Sequence, residues 1–145
     1  MTVVIGHRGA SADFPENTLD AFAGAAAQGA DWVELDVRAT SDGVLVVHHD
    51  AVLPDGRPIA DLAHHEVPIS VPRLEMAFGV MAGMGVNVEI KNSPAEPGWD
   101  PTGELASATV ELIAEVAAGL EILVSCFDLA TLDHVRVVAP NLATG

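Results

Sequence analysis

The chain has 145 residues, a formal net charge of −15 and 50% hydrophobic residues. One compact domain fits this length, and so apolar a composition argues against a disordered chain. The acidic excess, with no cluster of lysine or arginine, argues against nucleic-acid binding, and a single cysteine excludes an internal disulfide.

Short β-rich runs alternate along the chain with Ala-rich amphipathic segments, which is typical of βα units around a largely parallel sheet. Asn17 is a good cap residue for the first helix, and Pro72 is preset for the first turn of the second. Gly29 closes the first helix, and Pro140 stops the last. The predicted strands span residues 3–5, 32–37, 45–48, 86–90 and 120–126, and the predicted helices span residues 18–28, 73–82, 104–118 and 129–138.

Two segments, residues 51–70 and 93–103, lack this periodicity and are rich in proline and glycine. We predict both as long surface loops. Loops of this length in a compact domain are usually functional.

The connection between the second and third predicted strands is too short for a crossover helix, which needs about a dozen residues. The turn at residues 40–43 therefore predicts an antiparallel hairpin. A two-residue loop would place Asp36 opposite His49, whereas a loop of three or four residues would shift the partner by one residue.

Charged residues gather where the predicted strands end. Alternate residues of a strand share a face, so Glu34 lies beside Asp36 and Glu89 beside Lys91. Buried charge is tolerated only with a partner or a metal. Three carboxylates with one lysine favour a hard divalent cation with oxygen ligands, Mg²⁺ or Ca²⁺ rather than zinc.

Seven short motifs follow one another along the chain. They are HRG (7–9), ENT (16–18), ELD (34–36), the turn at 40–43, VVHHD (46–50), EIK (89–91) and ILVSCFD (122–128). In order and spacing the first six resemble the motifs of the glycerophosphodiester phosphodiesterase family, and the seventh is similar to the family's next strand motif.

The resemblance implies a phospholipase C-like TIM-type (β/α)₈ barrel with its site at the C-terminal ends of the strands. It also implies hydrolysis of a small glycerophosphodiester to sn-glycerol 3-phosphate and an alcohol. One histidine takes the proton of the glycerol 2-hydroxyl as it attacks phosphorus, the other protonates the departing alcohol, and water then opens the cyclic phosphate. The family's metal ligands map onto Glu34, Asp36 and Glu89, its acid/base pair onto His7 and His49, its phosphate-facing cations onto Arg8 and Lys91, and its supporting residues onto Glu16 and Asn17.

The chain is short for such a barrel. A full (β/α)₈ barrel takes about 250 residues, so 145 residues supply four to five βα units. We expect residues 1–145 to be a single, truncated domain, the N-terminal part of a longer enzyme. A half-barrel that dimerises and an inactive remnant are the other interpretations, because a second copy or a missing C-terminal half would cover the open sheet edge.

Three other interpretations remain open at this point. The charged residues can form an ordinary ion-pair network without a catalytic role. The protein can also be a related phospholipase C or sphingomyelinase-D-like enzyme, or a binding module without turnover. No apolar run reaches the roughly 20 residues that cross a bilayer, and no basic segment followed by an apolar one opens the sequence. We therefore expect a cytoplasmic protein without a membrane span.

Overall fold

The computed structural model describes residues 2–145, which form one α/β sheet with helices packed on one of its faces. The strands are β1 (Ile5–His7), β2 (Trp32–Ala39), β3 (Leu45–Val47), β4 (Gly85–Ile90), β5 (Glu121–Ser125) and β6 (Ala143–Thr144). The helices are α1 (Leu19–Ala27), α2 (Leu74–Val80), α3 (Glu104–Val116) and α4 (Leu129–Val138).

The sheet has the order β1-β2-β4-β5-β6, and these strands run parallel. β3 pairs antiparallel with the end of β2. Within residues 2–145 the sheet does not close on itself, and it ends at β1 and β6. The predicted alternation of strands and helices, with four to five βα units, is confirmed.

One face of the sheet forms the main hydrophobic core. Val33, Leu35 and Val37 of β2 are fully buried, and they join one cluster with apolar residues of all four helices. Val33 and Val37 are β-branched, and such side chains pack well on one face of a pleated strand. The opposite face of β2 carries Glu34 and Asp36, so the alternation separates the core from the charged residues.

Several element ends differ from the predictions. β1 begins at Ile5 rather than at residue 3, because the backbone N–H of Val4 donates to the Asp31 carboxylate instead of extending the ladder. The cap of α1 is Thr18, whose hydroxyl accepts from the Ala21 N–H. The predicted cap, Asn17, is buried one residue earlier, where its side chain has another partner.

The hairpin has a three-residue loop, so its register is the shifted one. Val37 pairs with Val47, and the His48 N–H donates to the Asp36 carbonyl oxygen at 3.0 Å. Asp36 therefore lies opposite His48, and the pairing with His49 expected for a two-residue loop is wrong. Gly43 has a φ of +80°, which closes the turn at low cost.

The two long connections differ in their internal order. The segment 51–70 contains two short 3₁₀ turns, at Ile59–Asp61 and His64–Glu66, and buries a second apolar cluster with Val46. The prediction of a plain surface loop is wrong there, because apolar side chains within the segment pack on β3. The segment 93–103 has no helix or strand, as predicted. Among the described residues, no helix has the length and apolarity needed to cross a membrane.

Candidate active site

Three carboxylates meet at the C-terminal end of the parallel strands. Glu34 and Asp36 lie on β2, and Glu89 lies on β4 directly opposite Asp36. One oxygen of each carboxylate lies within 4.8 Å of the others. The structure thus brings together the three residues predicted as metal ligands.

Glu34 has an unusual environment for a carboxylate. It is 6% exposed, and its Oε2 accepts a hydrogen bond from the Arg8 N–H at 3.0 Å. Its Oε1 is buried and has no hydrogen-bond partner among the described residues. Burial, together with the negative charge of Asp36, raises the pKa of Glu34 to about 7.

Asp36 is held by a reciprocal pair of hydrogen bonds. The Asn17 Nδ2 donates to Asp36 Oδ2 at 2.8 Å, and the Asp36 N–H donates to Asn17 Oδ1 at 3.3 Å. Asn17 has a left-handed φ of +57°, which asparagine tolerates better than most residues, and its N–H donates to the Arg8 carbonyl oxygen. Asn17 therefore ties the loop after β1 to the carboxylate on β2.

Two cations face this cluster. Lys91 Nζ lies 2.8 Å from Glu89 Oε1 and 3.6 Å from Asp36 Oδ1. Arg8 Nη1 donates to both oxygens of Glu16, at 3.0 and 3.1 Å, and its Nε lies 3.3 Å from Asp36 Oδ2. The site contains the three clustered carboxylates and Glu16 but only two cations. It therefore has a net negative charge.

The two predicted acid/base histidines lie at the ends of β1 and β3, which both pair with β2. His7 ends β1, its side chain is 68% exposed, and its Nε2 lies 3.8 Å from Glu34 Oε2. His49 follows β3, its side chain is 33% exposed, and its Nδ1–H donates to Asp50 Oδ1 at 2.7 Å. This hydrogen bond lowers the pKa of the Asp50 carboxyl. Within residues 2–145 neither Nε2 forms a hydrogen bond.

The donor set fits a divalent cation. Clustered carboxylate oxygens are the ligands that Mg²⁺ and Ca²⁺ prefer. An ion bound among Glu34, Asp36 and Glu89 would give the buried Glu34 Oε1 a partner and favour the ionised carboxylate. The residues present therefore fit the cation that the sequence predicted.

Sequence reasoning missed two residues that contact His49. The Asp50 carboxylate holds the imidazole, although Asp50 is not among the predicted site residues. Arg38 is 5% exposed, and its Nε donates to the His49 carbonyl oxygen at 2.9 Å. The signal for Arg38 was present, because it continues the alternate positions of Glu34 and Asp36 along β2.

The sequence and the structure both match known proteins. The sequence model of the glycerophosphoryl diester phosphodiesterase family matches residues 7–145. A glycerophosphodiester phosphodiesterase of Caldanaerobacter subterraneus subsp. tengcongensis is 32% identical over an alignment 165 residues long. The alignment covers 99% of this chain and 65% of the relative. An Oleispira antarctica phosphodiesterase, solved in complex with the product sn-glycerol-3-phosphate, matches with a TM-score of 0.90 and 31% identity over 100% of this chain and 65% of that chain.

A third comparison agrees with these two. The glycerophosphodiester phosphodiesterase of Thermotoga maritima matches with a TM-score of 0.81 and 31% identity, over 100% of this chain and 62% of that chain. The chain thus spans less than two thirds of the length of each of these three proteins. The likeness confirms the predicted barrel architecture, here as an open part of it. The chain belongs to the glycerophosphoryl diester phosphodiesterase family.

Proposed function

We propose that the protein hydrolyses glycerophosphodiesters to sn-glycerol 3-phosphate and an alcohol in a reaction that depends on a divalent cation. The observation that carries the proposal is the meeting of three carboxylates, with two cations beside them, at the edge of a parallel sheet where His7 also ends its strand. Family membership and the product named for the Oleispira protein support the choice of substrate.

Glu34, Asp36 and Glu89 would hold the cation. When bound, Mg²⁺ or Ca²⁺ neutralises charge on the phosphoryl oxygens and helps to orient the diester. Arg8 and Lys91 add to this neutralisation from the protein side. Arg8 is fixed by Glu16 through one end of its guanidinium, and its buried Nε has no hydrogen-bond partner among residues 2–145.

The proton transfers are assigned to His7 and His49 as a pair. One imidazole takes the proton of the glycerol 2-hydroxyl while its oxygen forms a bond to phosphorus. The other gives a proton to the alcohol oxygen as its bond to phosphorus breaks. Water then adds to the cyclic phosphate, the bond from phosphorus to the 2-oxygen breaks, and sn-glycerol 3-phosphate leaves. Imidazole suits both transfers because its pKa lies near neutral pH.

Release of glycerol 3-phosphate from glycerophosphocholine, with and without Mg²⁺ or Ca²⁺, tests this function. We expect turnover that a chelator stops and a returned cation restores. Substitution His49→Asn should lower kcat by about 10²–10⁴-fold. The matched control is His48→Asn, since His48 is the adjacent imidazole but bonds the Asp50 carbonyl oxygen instead of the carboxylate. Metal-dependent turnover of phosphatidylinositol or sphingomyelin but not of glycerophosphocholine would favour the related lipid-cleaving enzymes.

The open sheet favours a second candidate, a binding module without turnover. Ile5 on the edge strand β1 is 54% exposed, so a covering partner would bury apolar surface there. Calorimetric titration with Ca²⁺ and then sn-glycerol 3-phosphate, run beside the glycerophosphocholine assay, separates the two. A module binds both ligands but releases no glycerol 3-phosphate from the diester. That residues 1–145 form a single, truncated domain stays a prediction.

A further inference from the structure

We propose that Arg38 is a positioning residue that fixes His49 for proton transfer. The inference rests on the proposed function, because it assigns a part in that reaction to a residue outside the predicted catalytic set. It starts from one contact, between a buried guanidinium and the backbone of a histidine on the next loop.

The contact is made through two nitrogens of one side chain. Arg38 Nε donates to the His49 carbonyl oxygen at 2.9 Å, and Nη2 donates to the same oxygen. Nη2 also donates to Glu96 Oε2 at 3.0 Å. The guanidinium therefore joins the loop after β3 to the loop after β4, which begins beside Lys91.

Because the Arg38 guanidinium is buried, its contact restricts the position of the His49 backbone. The Arg38 side chain is 6% exposed, and the Glu96 side chain is 39% exposed. A buried guanidinium is costly unless its donors are satisfied, so both acceptors must stay in place for the folded state to keep it. The planar fork allows only a narrow range of positions for the His49 carbonyl oxygen.

Two constraints then act on His49 from opposite sides. Arg38 fixes its backbone, and the Asp50 carboxylate fixes Nδ1 of its ring. Together they direct the free Nε2 and limit rotation of the imidazole. Proton transfer is sensitive to such placement, because a shift of about 1 Å can lower a rate by about 10²-fold.

The test compares Arg38→Ala with wild type in the complete chain, with Arg57→Ala as the matched control. Arg57 is an exposed arginine that pairs with Asp55 in the loop after β3. We expect kcat for glycerophosphocholine to fall by about 100-fold in Arg38→Ala, with KM changed less than about threefold. Calcium affinity should not change. Millimolar guanidinium should restore much of kcat in Arg38→Ala and should have no effect on Arg57→Ala.

A second variant covers the case in which Arg38→Ala does not fold. Arg38→Lys keeps the charge but not the planar fork, so we expect a folded protein whose kcat is lower by about tenfold. Full activity in Arg38→Lys, or loss of activity in Arg38→Ala that guanidinium does not relieve in a folded protein, would overturn the assignment.

The histidine-ring NMR spectrum separates this inference from the proposed function. The His49 ring resonances should shift or broaden in Arg38→Ala and return with guanidinium, while those of His7 stay in place. If wild type releases no glycerol 3-phosphate but His49 responds in this way, the function fails and the positioning contact stands. If His49 does not respond, the positioning role is wrong whatever the activity.

Discussion

Both faces of β2 are buried, but one buries apolar side chains and the other buries charged ones. One face carries apolar side chains that pack against the helices. The other carries charged side chains at the candidate active site. On the first face Val33, Leu35 and Val37 are each 0% exposed, and on the second Glu34, Asp36 and Arg38 are 6%, 1% and 5% exposed.

The difference shows which kind of burial stabilises the fold. Apolar side chains gain about 25 cal/mol for each Å² removed from water, whatever lies next to them. A buried charge loses its hydration and recovers it only through particular partners, so its net contribution is small or unfavourable. We infer that the apolar face stabilises the domain, whereas the charged face is kept for chemistry.

The largest expected effect comes from breaking the charged face. Asp36→Asn keeps the size of the side chain but removes the charge that Lys91 and Arg8 face. We expect turnover and the heat of calcium binding to fall below detection. The free energy of unfolding should change less than for a deletion in the core, because the loss of charge relieves repulsion with Glu34 while Lys91 keeps Glu89 as its partner. Activity assays, calorimetry and urea unfolding measure the three quantities. Retained calcium binding would show that Asp36 is not a ligand.

The matching change on the apolar face should do the reverse. Leu35→Ala removes a fully buried side chain, so we expect a loss of about 2–5 kcal/mol in the free energy of unfolding. Calcium affinity of the folded fraction should be unchanged, because Leu35 points away from the carboxylates. A loss below about 1 kcal/mol would mean that the core relaxes into the space.

The pH dependence of stability separates the two faces without changing the core. The pKa of Glu34 is raised from 4.5 to about 7 by burial and by Asp36. Between these values the folded state binds more protons than the unfolded state, so stability falls as pH rises, by up to about 3 kcal/mol. We expect Glu34→Gln to remove this slope in the metal-free protein.

Urea unfolding at about pH 5 and about pH 8, in chelator, measures the slope. The difference between wild type and Glu34→Gln isolates Glu34, because the other titratable groups are common to both proteins. Asp50, whose pKa is lowered, affects the slope only at a more acidic pH than this range. Calcium should stabilise wild type more at the higher pH, where the carboxylate is ionised. Equal slopes in the two proteins would contradict the environment described for Glu34.

The sequence predicts the apolar face of β2 more completely than the contacts of its charged face. The apolar alternation of β2 and the order of strands and helices followed from local patterns, and so did the grouping of Glu34, Asp36 and Glu89, because neighbouring parallel strands end at one edge. Three details depended on tertiary contacts and were not predictable. Asn17 bonds Asp36 instead of capping α1, and one extra turn residue shifts His49. The alternation along β2 places Arg38 on the face of Glu34 and Asp36, but no spacing reveals its contact with the His49 carbonyl oxygen.

Asn17 offers a smaller, more selective change on the charged face. Asn17→Ala removes both hydrogen bonds to Asp36 but leaves the carboxylate itself. Loss of such a supporting partner typically lowers metal affinity by about 10–100-fold. Calorimetric titration with Ca²⁺ measures the effect, and Thr18→Ala is the control. This substitution removes the helix cap and a hydrogen bond to the Pro15 carbonyl oxygen but no bond to Asp36. Similar calcium affinities in both variants would mean that Asp36 is oriented by other contacts.

The smallest effect is expected where the charged face meets water. Arg8 and Glu16 form an ion pair whose side chains are 19% and 52% exposed. Exposed pairs contribute about 0–1 kcal/mol, so Glu16→Gln should change the free energy of unfolding by less than about 1 kcal/mol. Its effect should fall on KM instead, because the Arg8 guanidinium, which we propose faces the phosphate, loses the group that orients it. A rise in KM without a change in stability would extend the contrast between the two faces to the rim, whereas a stability loss as large as that of Leu35→Ala would show that charge pairs also hold the fold together.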